Sequence, residues 1–213
     1  MVVDMTAEGN DGVGLRERKK RETRLALSQA TIHLCVERGW SNVTVEDIAA
    51  AANVSVRTFR NYFSSKAEAI AASHLERALQ LADELRARPV DEHLWDSIVR
   101  AVQAQLAPGE GNGGGSPHDQ RRPDGLRLLL TEPALHGEIL KADAAAQDEL
   151  AKAIAERTGT DVAHDVYPKL VAAVVGAGTA VAVTHCLNAD RPIPLGPLLR
   201  EVFDQLTAGL PVP

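Results

Sequence analysis

The sequence predicts an all-α protein, a small three-helix unit followed by a larger helical domain. Three observations carry this. Apolar residues recur at helical spacing through most of the chain. No alternating run suggests a sheet. Apolar residues make up 45% of the 213 residues but aromatics only 3%, so the core is built from Ala, Val, Leu and Ile, whose compact side chains suit closely packed helices.

Residues 1 to 14 hold Gly, Asn and Asp without an apolar period and are read as a disordered tail. Order is expected from Leu15. Leu27, Ala30, Thr31, Leu34 and Cys35 fall at i, i+3, i+4, i+7 and i+8, one stripe of a helix that stops at Gly39. Thr44 with Asp47 three residues on matches a capping box and opens a short helix to about Ala52. Asn53 tolerates a left-handed turn, and Ser55 caps a third helix running to about Phe63. Further helices are expected from "SSK" to Pro89, then at about 91–107, 124–131, 133–158, 162–188 and 195–209, with the Gly- and Pro-rich stretch from Pro108 to Pro123 as a loop. The domains are set at 15–66 and 67–213.

Two helices of about eight residues joined by a short turn, after a longer one, make a helix-turn-helix. In its second helix Val54, Phe59 and Phe63 take the inner face, and Val56, Arg57, Arg60 and Asn61 the outer. The residue types on that outer face suit a major groove. Arginine can bond guanine or phosphate in a bidentate manner, asparagine can pair with adenine, and valine can touch a thymine methyl. Thr44 and Ser55 stand at helix N-termini, where backbone N–H groups attract phosphate, and Lys66 in the next helix would face another. The charge distribution agrees. Residues 15–66 hold ten Arg or Lys against five Asp or Glu, whereas the whole chain has net charge −6, so a basic module sits on an acidic body. The run "RERKKRETR" at 16–24, six basic residues against two acids, is either a solvated helix start or a further contact with the DNA backbone or minor groove.

"TVEDIAAAANVSVRTFRNYFSSKAEAI" closely resembles the signature of the TetR family of bacterial transcription regulators, over about Ala26 to Ile70. The resemblance implies DNA-contacting positions at Thr44, Ser55, Val56, Arg57, Thr58, Arg60, Asn61, Tyr62 and Lys66. Arg60 stands where many members have Tyr, and Tyr62 where many have His. It further implies a homodimer on a palindromic operator and a larger domain that encloses a small effector. For that effector, taken to be lipophilic, the candidate lining is Trp95, Val99, Leu129, His136, Tyr167, Leu170 and Val174. The last two long helices would pair with their symmetry mates, with Gly176, Gly178, Ala182, Leu199 and Phe203 at the interface.

Other classes find little support. Seven His and two Cys are scattered without metal-ligand spacing, and there is no Gly-x-Ser-x-Gly and no phosphate-binding loop. No enzyme, cofactor or metal site is therefore expected. Leu170 to Leu187 carries no charge for 18 residues, but its Ala, Gly, Thr and His content reads as a buried helix rather than a membrane span. With no disulfide framework or secretory leader, a cytoplasmic protein is expected. The rival readings are an activator, a regulator that needs no ligand, or a helical module that binds an acidic protein.

Overall fold

A computed structural model describes residues 8–104, 127–128, 131–189 and 193–211, with side chains from residue 16 onward, residue 17 excepted. All regular elements among these residues are helical, and the chain divides into two compact units, Met1–Ser73 and His74–Pro213.

In the first unit, helix α1 runs Glu8–Arg38, so residues 8–14 are helical rather than the tail expected of them. Gly39 ends it with φ 83°, and its N–H bonds the carbonyl of Cys35 at 3.0 Å. The buried stripe is Leu27, Ser28, Thr31, Leu34 and Cys35. Ser28 replaces the expected Ala30 because its hydroxyl has a partner inside, donating to the carbonyl of Ala69 at 2.5 Å. A 3-10 turn, Trp40–Asn42, leads to α2, Val45–Ala51. The expected capping box is present, with the Asp47 N–H donating to Thr44 Oγ1 at 3.1 Å and the Thr44 N–H to Asp47 Oδ2 at 2.9 Å. Asn53 adopts φ 53°, and Ser55 then caps α3, Val56–Tyr62. Phe59 and Phe63 are both buried, with ring centroids 5.7 Å apart, and the Arg24 guanidinium lies 4.7 Å from the Phe63 centroid. Helix α4, Lys66–Ala87, buries Ala67, Ala69 and Ile70. Its first two turns thus belong to the small unit's core, and the division falls at 73/74 where the sequence suggested 66/67.

The second unit holds the rest of α4, then α5 (Leu94–Ala104), a 3-10 turn (Pro133–Leu135), α6 (His136–Thr158), α7 (Tyr167–Asn188) and α8 (Leu195–Thr207). One core of Leu85, Ile98, Val102, Leu150, Ile154, Val171, Val175, Leu199 and Phe203 joins all five helices. Polar groups fix the connections. Arg157 near the end of α6 donates to the carbonyls of Leu85, Arg88, Pro89 and Glu92 and to Ser97 Oγ, all at 2.8–3.3 Å, satisfying the open end of α4 and the loop after it. Arg86 bridges to Glu149 at 2.7 Å and Glu156 at 2.9 Å on α6. Helix α7 begins at Tyr167, later than the 162 expected, because Asp161 closes its own turn by accepting from the Ala163 N–H at 2.8 Å.

Helix α7 meets the length and apolarity of a membrane span, with mean hydropathy 1.9. It packs instead between α6 and α8, and its buried residues include Val171, Ala172, Val175, Gly178 and Ala182. This corrects the expected interface. Gly178, Ala182, Leu199 and Phe203 are buried within the single chain, where a Cβ at Gly178 would meet Leu206 at 3.0 Å and Val202 at 3.2 Å. The close approach that glycine permits is made by α8 of the same chain, so these side chains have no area left for a partner. Gly176 is half-buried against Gln147 of α6. The face of α7 left outside is Leu170, Ala173, Ala177, Val181 and Thr184, spaced at i, i+3, i+7, i+11 and i+14.

Candidate nucleic-acid interface

The local sequence forces α3 to present one polar face. Phe59 and Phe63 are spent on the core, so the positions between them must point away. Arg57, Arg60 and Asn61 are exposed, and neither guanidinium has a protein partner among the described residues. Val56 lies half-buried at the start of the helix, and Thr58 is half-buried with its hydroxyl 2.8 Å from that of Ser55. Two unpaired, always-charged donor forks and an amide on a seven-residue helix form a surface able to bond base edges or phosphates.

Three of the other positions are committed to local structure. The Thr44 hydroxyl donates to the Asp47 carboxylate at 2.6 Å and the Thr44 N–H donates to it at 2.9 Å, and these two bonds hold the Asp47 carboxyl below its ordinary range. With Glu46 beside it, the first turn of α2 carries two acids, which oppose a phosphate there. Ser55 Oγ accepts from the Thr58 N–H at 3.0 Å. Lys66 turns inward. Its ammonium donates to the carbonyls of Trp40 at 2.5 Å and Val43 at 2.9 Å, and lies 4.2 Å from the centre of the Trp40 ring. Lys66 thereby pins the 3-10 turn just before the Thr44 cap, a role that no sequence spacing signals.

Tyr62 ends α3 half-buried, and it lines a hollow of about 430 Å³ together with Arg16, Lys19, Lys20 and Thr23 of α1. The sequence did not pair these two segments. Its signal was there in part, since positions 16, 19, 20 and 23 share one helical face.

The candidate effector residues differ in exposure. Trp95 and Val99 are half-buried against the core, as is Val174 of α7 in its own setting. Tyr167 and Leu170 are 45% and 56% exposed, His136 is also exposed, and Leu129 lies outside the described residues.

The model for bacterial regulatory proteins of the tetR family matches residues 27–72, and that for the MftR C-terminal domain matches residues 92–211, more than half of the chain. The chain belongs to the TetR family. It is 34% identical over 190 residues to the HTH-type transcriptional regulator TcmR of Streptomyces glaucescens, covering 86% of this chain and 81% of that one. Among solved structures, Thermus thermophilus FadR, a TetR-family transcriptional repressor in complex with lauroyl-CoA, aligns with TM-score 0.58 and 18% identity, over 89% of this chain and 96% of that one. The fatty acid degradation regulator FadR of Bacillus halodurans aligns with TM-score 0.57 and 20% identity, over 88% and 96%. At such identities the likeness is one of fold. As a TetR-family member the chain is a DNA-binding transcription regulator, with its helix-turn-helix in α2 and α3.

Proposed function

We propose that this TetR-family chain is a homodimeric repressor in the cytoplasm that reads a palindromic operator through α3 and is released by a small lipophilic effector. The observation that carries the reading is the face of α3, where Arg57, Arg60 and Asn61 are exposed together without protein partners among the described residues. Arg57, Arg60, Asn61 and Val56 read bases, while Tyr62, the cap residue Ser55 and its partner Thr58 lie toward the backbone. Thr44 and Lys66 act indirectly by fixing the turn from which α2 starts.

For the dimer, the outer stripe of α7 is the supporting feature. Leu170 is 56% exposed and Val181 62%, on a helix of which little more than a quarter is buried in one chain. Apolar surface of that kind marks an interaction site, and a second copy that sets the two stripes together leaves no unlike partner to be supplied. The effector reading draws support from Trp95, Val99 and Val174, apolar and half-buried in the second unit, and from the lauroyl-CoA held by a neighbour in fold.

Fluorescence anisotropy with the duplex upstream of the chain's own gene, against a scrambled duplex, tests the reading. Selective binding that a lipophilic extract or acyl compound reverses supports it. Failure to select any duplex from a random pool would sink it.

A further inference from the structure

The run "RERKKRETR" contributes six cations to α1, and the structure divides them. Arg18 lies 3.6 Å from Glu22, Arg24 covers the Phe63 ring, and Arg21 has a contact of its own. Arg16, Lys19 and Lys20 are left without a side-chain partner among the described residues, and these are the three cations that wall the hollow with Thr23 and Tyr62. None of the five lining residues is acidic. Thr23 Oγ1 donates to the Lys19 carbonyl at 2.9 Å, which keeps that side chain folded back on α1. Three like charges drawn into one concavity repel each other unless an anion enters, and a hollow of this kind concentrates the field of its charges. One wall, Tyr62, directly follows Asn61 of the reading face.

We infer that the hollow formed by Arg16, Lys19, Lys20, Thr23 and Tyr62 is a seat for the DNA backbone, holding phosphate beside the groove that α3 enters. The inference rests on the regulator reading above and extends it to α1. The seat carries no sequence information, because phosphate is the same at every step. Its contribution is affinity, register and salt dependence. Arg18, Arg21 and Arg24 of the same run do not share in it.

The test is the salt dependence of duplex binding by the full-length protein and by the variant Lys19→Gln/Lys20→Gln, measured on a selected duplex and on a random one. A matched variant, Lys141→Gln/Lys152→Gln, removes the same charge from α6. Each lost phosphate contact lowers the slope of log K against log salt by about 0.9. The α1 variant is expected to lose about two units of slope per bound chain, so about four for the dimer, on both duplexes alike, with its preference for the selected duplex retained, while the α6 variant keeps the wild-type slope. Tyr62→Phe should weaken both duplexes by one common factor. An unchanged slope in the α1 variant, or an equal loss in the α6 variant, overturns the seat. If Arg57→Ala nevertheless loses selectivity in the same assay, the regulator reading stands without it. Wild-type protein that binds no duplex overturns both.

Discussion

At the scale of single residues, the structure separates side chains that face out from those that hold the frame. Arg57→Ala and Arg60→Ala are each expected to cost about 1–3 kcal/mol of binding to the selected duplex, with a smaller loss on random DNA, if they read bases; equal losses would mean that they bond phosphates only. Lys66 belongs to the frame. Removing its ammonium leaves the Trp40 and Val43 carbonyls without their donor, so Lys66→Met should lower the unit's stability by about 1–3 kcal/mol. Its salt slope on DNA should match wild type, and a slope shallower by about one unit per bound chain would return Lys66 to the phosphate contacts. The arginines were legible in the sequence because their neighbours Phe59 and Phe63 fix the phase of α3. The inward turn of Lys66 was not, since its partners are backbone carbonyls 23 and 26 residues away, and a carbonyl has no residue identity to be recognised by.

At the scale of elements, caps and breaks reveal themselves better than faces do. The capping box at Thr44, the left-handed Asn53 and the stop at Gly39 all lie where the sequence placed them, because each depends on residues within one turn. Helix α7 shows the opposite case. With no charge from Leu170 to Leu187, every face is apolar or small, and nothing in the sequence distinguishes the buried stripe from the outer one. The two faces should respond differently. Phe203→Ala, in the core, is expected to cost about 3–5 kcal/mol in folding stability, read by denaturant melts. Leu170→Glu/Val181→Glu, on the outer stripe, should leave the monomer's fold intact and shift sedimentation toward a single chain. The α4–α5 connection carries a pH dependence. Arg88 at 2.7 Å, and then Ser97, hold the Glu92 carboxyl down at about 2, from an ordinary value of 4.5. Because its folded value is depressed, the stability it contributes is complete above the ordinary carboxylate range and is lost as pH falls from there toward 2. Thermal melts of wild type and Glu92→Gln should therefore differ most at pH 7, with a gap that narrows steadily below the ordinary carboxylate range and closes only as pH approaches about 2.

At the scale of the whole molecule, the proposed function links two chains and two ligands through one equilibrium. A dimer that reads a palindrome places its two α3 helices about 34–36 Å apart for half-sites one helical turn apart, or at a multiple of that. An insertion of half a turn between half-sites should then abolish tight binding without altering either half. The effector and the DNA must also penalise each other equally, since the coupling is a single free energy. If an effector weakens operator binding a hundredfold, saturating operator should weaken effector binding by the same factor, and an unequal pair of factors would place the two ligands on different forms of the protein. The uncharged outer stripe of α7 has a consequence for dosage. If two copies pair across that stripe and most chains are unpaired at the working concentration, the amount of competent dimer rises with the square of the number of chains, so halving expression of the gene quarters the supply of operator-binding units. Under that pairing, control by this protein would have a threshold in its own abundance, set by how well two copies of Leu170 and Val181 cover each other.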